Sequence, residues 1–407
     1  VDDTAARELL IRLGTFLDQF AGCFSRRAQR GYASRYVQGL LNDSERKSMQ
    51  AMHGRLSDAG SYQGLQHFIT HSTWDPRPVW RRLRAALPVR HGILAIDDTS
   101  FQKHGKRSVG VARQYCGTLG KIANCQSAVS TALIVKGWAW VTSLELFLPR
   151  AWLDDVSQRE WVGIPRHAAF REKWRIALAH VRQVLAAGLT IDAVVADSAY
   201  GVVGRFRTEL ERLGLRYVLA VPYFLSARLT PGGPSLALAA IANQLPASAW
   251  RQLHWGRDRH LVARFAAIRV RPRHSRGDRW LLCQDSLADG ERKYSFSNFP
   301  ETTPLRRLAL TARSRWAIEQ QYRDLKTELG LDHFEGRSYP GWAHHAVLAA
   351  ITFTFVQVER LRGTQPLPTF PDVRNMVREI MLTLYLVEHP RYLNMLVSFQ
   401  RNPPLRI

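Results

Sequence analysis

The chain has 407 residues, 46% apolar and 22% charged, a balance that fits two or three packed domains and excludes a largely disordered or fibrous protein. Its 57 Lys and Arg against 34 Asp and Glu leave a net charge of +23 spread along the chain, which points to a polyanionic partner, nucleic acid before membrane. Cys23, Cys116, Cys125 and Cys283 show no CxxC or metal-finger spacing, so free thiols in a reducing cytoplasm are expected, and the longest apolar run, Ala346 to Val358, is too short to span a bilayer. The first residues lack the apolar run of a signal peptide, and the opening at Val1 rather than Met leaves room for residues upstream.

Residues 1 to about 88 read as helical, because Leu9, Leu10, Leu13, Phe16, Leu17 and Phe20 recur at spacings of 3 and 4. Arg26, Arg27, Arg30 and Arg35 are interleaved there with Tyr32 and Tyr36, a texture that suits either a DNA-binding helical domain or an ordinary basic surface. Gly92 to Asp98 is then a short apolar run ending in acids, as expected of a buried strand whose end reaches a site. The Gly-rich stretch Lys103 to Lys121 carries Lys103, Lys106, Arg107, Arg113 and Lys121 without the order of a nucleotide P-loop, so a loop on phosphate backbone or a solvated loop is expected.

Ala128 to Val135 and Trp138 to Leu148 form a hairpin pattern around Lys136-Gly137, with Trp138, Trp140, Thr142, Leu144 and Leu146 on one face of a regular strand. A helix is predicted over 166–187, a second acid-ended strand over Ile191 to Asp197, a helix over 201–213 and a strand over Arg216 to Val221. From about 223 to 310 the rhythm changes to separate strands at Leu261 to Val270, Trp280 to Gln284 and Lys293 to Phe296, with Arg257, Arg259, Arg264, Arg269, Arg271 and Arg273 among them. Helices resume at 315–329 and 342–360, and Pro366, Pro368 and Pro371 open the last segment.

In the helix from Arg315 to Lys326, residues Arg315, Glu319, Arg323 and Lys326 share a narrow arc beside an apolar stripe of Ile318, Tyr322, Leu325 and Leu329, with Gly330 as the C-cap. Taken alone this is a salt-bridged surface helix. Asp98 and Asp197, each ending a strand, change that reading, because parallel neighbours would place both at one sheet edge and the helix could bring Glu319 against them. Three carboxylates suit two hard Mg²⁺ or Mn²⁺ ions about 4 Å apart, the arrangement that phosphodiester cleavage uses. Strand alternation allows only one of Asp97 and Asp98 to reach the metals and does not say which. Asp324-Leu325-Lys326 as a nuclease D-x-K motif is disfavoured, since helix residues two apart diverge by about 200°. His333 and His344-His345 lack a matching ligand spacing and read as structural or DNA-contact residues rather than zinc ligands.

Ala95 to Ser100, Val194 to Asp197, and Arg315 with Glu319 and Lys326 resemble the DDE transposases of bacterial insertion sequences. Arg, three residues, Glu, six residues, Lys is part of that group's signature; its Tyr, expected three residues before Arg315, is Ala312 here. The resemblance implies an α/β fold, a ribonuclease-H-like mixed sheet flanked by helices, with a β-rich insertion and an α-helical N-terminal domain. It makes Asp98, immediately before Thr99, the first acid of a catalytic and metal-binding triad with Asp197 and Glu319. The implied reaction is binding of terminal inverted repeats, cleavage to free 3′-OH ends and their transfer to target DNA, with two Mg²⁺ ions per site. Arg315, Arg323, Lys326 and the cations of 103–121 would hold phosphates, Trp250 or Trp255 would either stack on a flipped base or pack in the core, and paired ends imply a homodimer. The expected division is a helical DNA-binding domain at 1–88, a catalytic core at 89–222 plus 311–363, an insertion at 223–310 and a helical tail at 364–407. The competing readings are a domesticated, catalytically silent DNA-binding protein and a non-transposing metal-dependent nuclease.

Overall fold

A computed structural model describes residues 3–391 apart from 43, 57, 256–260, 274, 276, 288–289, 364–366 and 389. Arg257, Arg259, Pro366 and the tail beyond 391 lie outside the described residues. Up to residue 90 the described chain forms helices and no strand: α1 (Asp3–Asp18), α2 (Arg27–Leu41), α3 (Met49–His53), α4 (Tyr62–Thr70) and α5 (Pro76–Ala86). Next come β1 (His91–Gln102), β2 (Ala112–Cys116), β3 (Lys121–Val135), β4 (Trp138–Leu146), α6 (Arg150–Asp154), α7 (Val156–Trp161) and α8 (Lys173–Ala186). They are followed by β5 (Thr190–Ala196), α9 (Ser198–Gly201), α10 (Gly204–Arg212) and β6 (Tyr217–Val221). The insertion supplies β7 (Ser226–Arg228), β8 (Leu236–Ala237), α11 (Leu238–Asn243), β9 (Arg251–Trp255), β10 (Leu261–Pro272), β11 (Arg279–Ser286) and β12 (Arg292–Ser297). The chain closes with α12 (Leu305–Arg313), α13 (Trp316–Thr327), α14 (Tyr339–Arg362) and α15 (Phe370–Glu388).

The core order β4-β3-β1-β5-β6 joins three antiparallel strands to three parallel ones through β1, a mixed ribonuclease-H-like sheet. β12 pairs antiparallel with β6, from Tyr294↔Val221 to Ser297↔Val218, so the insertion continues the same sheet. Both faces of the parallel strands are covered, which is why they read as continuous apolar runs. On one face Leu94, Ile96, Val194 and Leu219 pack with Ile176 and Val181 of α8 and Phe206 of α10. On the other, Ala95, Val195 and Val218 pack with Leu308 of α12 and Ile318 of α13. Each large aliphatic side chain so buried contributes about 2 kcal/mol.

The apolar run of α14 is a core helix: Ala346 to Val356 are all buried. Its surroundings include Leu40, Phe68 and Val79 from the N-terminal helices, so those helices share a core with the C-terminal part of the chain. The Tyr36 hydroxyl donates to His345 Nδ1 at 2.8 Å, and His344 contacts the Ile69 and Trp74 carbonyls at 2.8 Å each, so both histidines tie the N-terminal helices to α14. Among the described residues no helix is long and apolar enough to cross a membrane.

Three local expectations change. The basic stretch 103–121 contains β2, whose pairing to β3 makes it half loop, half hairpin. The helix predicted over 166–187 begins at Lys173 rather than 166, and two short helices that the periodicity did not show, α6 and α7, precede it. Lys136 and Gly137 do form a tight turn, both with positive φ (50° and 83°) as a type I′ hairpin needs. Beyond it, however, the register shifts between Thr131 and Ala132, so Thr142 is the extra residue of a bulge, its hydroxyl donating to the Thr131 carbonyl at 2.9 Å, and the predicted single face breaks. Trp140 then joins the α8-side core, while Leu144 and Leu146 join the core around α14.

Candidate active site

The parallel pairing of β1 with β5 stops at Ile96↔Ala196, where β5 ends. Asp98 does not end its strand as expected, because β1 runs on to Gln102 against β3. Asp97, Asp98 and Asp197 meet where the parallel pair parts. Strand alternation then sends the two neighbouring acids to opposite faces. Asp97, on the face of Ala95, receives Arg315 Nη1 at 2.5 Å on its Oδ2, and Arg315 Nη2 lies 2.5 Å from Glu319 Oε1. Burial pushes the Asp97 carboxyl up to about 7, opposed by the Arg315 charge and reinforced by Asp197. Asp98, on the face of Ile96, is held by Lys173 Nζ at 2.5 Å and by the Tyr200 hydroxyl, which donates to Oδ1. Lys173 also donates to Ser127 Oγ at 2.9 Å, so its ammonium is fixed from two sides.

Asp197 caps the short α9, its Oδ1 accepting from the Ala199 and Tyr200 amides at 3.0 and 3.4 Å. Burial raises its pKa, and the nearby Asp98 charge raises it further. Glu319 stands on α13 at the edge of a buried stripe, with Ile318, Leu325 and Leu329 buried and its own side chain 47% exposed. Gly330, with φ +63°, ends that helix region, as the spacing predicts.

The predicted phosphate-binding cations divide. Lys326 Nζ is committed to the protein, donating to the Ser100 carbonyl at 2.8 Å and Thr118 Oγ1 at 3.2 Å, and burial lowers its pKa. Lys103 likewise donates to the Phe334 carbonyl at 2.7 Å. Arg323, Lys106, Arg107, Arg113 and Lys121 are exposed, and Lys106 and Arg107 line a cleft of about 680 Å³ with Arg46 and Arg337. Asp324 is buried with Gln320 as its hydrogen-bond donor, away from the Lys326 ammonium's partners, so D-x-K is not assembled. Trp250 packs in the core with Arg264 and Arg292 over its ring, and Trp255 packs against Phe265, so core packing accounts for both.

Sequence reasoning missed Lys173, Tyr200 and Tyr322. Tyr200 left a trace, lying one helical turn after Asp197; Tyr322 was read only as part of an apolar stripe, yet its hydroxyl lies 2.5 Å from Ser130 Oγ beside the acids. Lys173 had no local sign, since only the packing of α8 on the sheet carries it to Asp98.

Residues 19–256, spanning Asp98 and Asp197, match the family described as DDE superfamily endonuclease. The chain belongs to that family. Residues 169–355, spanning Asp197 and Glu319, match the transposase DDE domain. Over 315 residues the chain is 27% identical to a probable transposase for insertion sequence element IS701 from Microchaete diplosiphon, covering 74% of this chain and 76% of that protein. It is thus an insertion-sequence DDE transposase, with DNA as its substrate. DDE enzymes generally use divalent metals. The donor set fits such ions: clustered carboxylate oxygens, two of them with raised pKa, are what a hard cation would relieve. As the side chains stand, no three His, Cys, Asp or Glu among the described residues form a metal-holding group, and Arg315 and Lys173 neutralise the acids instead.

Proposed function

We propose that this transposase binds the terminal inverted repeats of its element, cleaves to free 3′-OH ends and joins those ends to target DNA, with Asp98, Asp197 and Glu319 as its catalytic acids. The observation that carries the reading is the meeting of Asp98 and Asp197 where the parallel pair parts, close enough for the charge of one to raise the pKa of the other. Those acids would hold two Mg²⁺ ions, or Mn²⁺ in their place, which supply activation of the attacking oxygen and stabilisation of the leaving one. Lys173 and Tyr200 orient the Asp98 carboxylate, and the two α9 amides orient Asp197. Arg315 holds Glu319 toward the edge, while Arg323 and the exposed cations of 103–121 neutralise phosphates. Lys326 and Lys103 shape that surface from below. We assign 1–88 to end recognition, 89–222 with 311–363 to catalysis, 223–310 to the insertion and 364–407 to a tail. Two ends held together call for at least a dimer, acting on the nucleoid in the cytoplasm.

A second reading places Asp97 where Asp98 stands, favoured by the Arg315 guanidinium that joins Asp97 to Glu319. Single alanine substitutions of Asp97, Asp98, Asp197 and Glu319, assayed for strand cleavage and for binding to end DNA, separate the two. The first reading expects cleavage to vanish at Asp98, Asp197 and Glu319 with binding kept; survival at Asp98 and loss at Asp97 selects the second, and survival at Asp197 or Glu319 sinks both.

A further inference from the structure

A groove of about 1530 Å³ lies between α8, α10 and the β7 end of the insertion, on the sheet face opposite α13. Nine arginines and three glutamates line it among the described residues, so its field is strongly positive even after internal pairing. Arg182 and Arg212 share Glu209, and Arg175 pairs with Glu172, whereas Arg205 and Arg273 form no ion pair among the described residues. Rings accompany the charges: Phe170 lies under Arg150, Trp174 under Arg175 and Phe296 under Arg207. One end of the groove is lined by Glu172 and Trp174, the residues flanking Lys173, which grips Asp98.

Phe224 lines the groove and Tyr223 precedes it in the chain, the two ring planes lying 82° apart. They follow β6, whose parallel neighbour β5 leads into Asp197, so they lie toward the same end of the parallel strands as the acids. Each is 63% exposed, their ring centroids are 5.5 Å apart, and no cation covers either ring among the described residues. Two neighbouring bare aromatic rings beside a cationic groove match what a single nucleic-acid strand requires, since phosphates need cations and unpaired bases need ring faces. A duplex hides its base faces in its own stack and would meet those rings only with sugar and phosphate.

Resting on the DNA-cleaving role above, we infer that this groove binds an unpaired stretch of DNA leading away from the acid edge, with Tyr223 and Phe224 as the stacking platform for its bases. The strand's phosphates run along Arg205, Arg212 and Arg182, and its path is separate from the exposed cations on the α13 side. Because the platform is exposed, it can be removed without opening the core.

The test measures fluorescence anisotropy of the full chain with a labelled oligothymidylate of about 20 nucleotides and with a duplex of the same length, at one salt concentration. The double variant Tyr223→Ala/Phe224→Ala is expected to weaken single-strand binding roughly ten- to a hundredfold, with duplex binding changed less than about twofold. Tyr223→Phe/Phe224→Trp, which keeps both rings, should restore single-strand affinity, and Arg205→Glu should flatten its salt dependence. Unchanged single-strand affinity in the double variant, equal losses on both probes, or no single-strand binding by the unaltered chain would overturn the inference. If it falls while duplex binding and Asp98-dependent cleavage remain, the transposase reading stands without it.

Discussion

The two faces of the central sheet treat neighbouring carboxylates in opposite ways. On the α13 face Asp97 is 9% exposed, packed beside apolar residues and matched to one guanidinium, and burial drives its pKa up to about 7. On the α8 face Asp98 is more open and is gripped by an ammonium and a phenol. One peptide unit along β1 therefore separates an acid held in the packed layer from a half-buried acid held by two polar side chains. A strand that outruns its parallel neighbour can serve two surfaces at once, and the helix packed over each surface decides what its acid does. The Arg315 and Lys173 cations reach the acids from opposite sides, each supplied by a different helix.

The sharpest way to break this comparison is to remove each acid's charge without changing its size. Asp98→Asn should lower strand cleavage at least roughly a thousandfold, the scale of several kcal/mol of lost transition-state stabilisation, and Asp97→Asn considerably less. Equal losses in a cleavage assay would mean that both faces contribute to one site. Next in size are the groups that orient Asp98: Tyr200→Phe and Lys173→Met should each cost about ten- to a hundredfold in cleavage and raise the Mg²⁺ concentration needed for half-maximal activity. A metal titration that leaves the midpoint unmoved would reduce them to packing residues.

The smallest effect concerns the seam far from either face. His345 accepts from the Tyr36 hydroxyl on Nδ1, so its Nε2 carries the proton and faces the Leu331 carbonyl at 3.2 Å, which is the neutral ring. Burial lowers its pKa to about 4 from an ordinary 6.5. The unfolded chain therefore binds a proton that the folded chain refuses, so this group's contribution is complete above pH 6.5 and is lost as pH falls toward 4. Thermal melting should show a lower midpoint at pH 5 than at pH 7. Tyr36→Phe should cost about 1–3 kcal/mol by leaving the ring nitrogen unpaired, with cleavage per folded molecule unchanged. A variant that melts normally but cleaves poorly would tie the seam to the site.

The placement of Asp197 just after β5 and of Glu319 beside the buried stripe of α13 was legible because each carried a local pattern: an acid closing a β-branched run, and an acid at a fixed helical angle from an apolar stripe. The insertion was legible as β-rich, but its strands read as separate because nothing local tells β12 that β6 is its neighbour. The β4 bulge at Thr142 escaped for the same reason, since a register slip is a property of a strand pair. Lys326 carried a familiar spacing, yet its ammonium turned inward to the Ser100 carbonyl, an outcome that packing of α13 on β1 decides.

By itself, then, the amino-acid sequence determined periodicity, charge and the positions of the acids, because these follow from residue order within one turn or one strand. It established an α/β chain with a helical N-terminal part, a polyanionic partner and three acids in a transposase-like order. Tertiary structure alone decided which face each aspartate serves, that Lys173 and Tyr200 hold Asp98, and that an arginine groove forms between α8 and α10. Those contacts join residues 75 and 102 positions apart in the chain, and no local rule reaches that far.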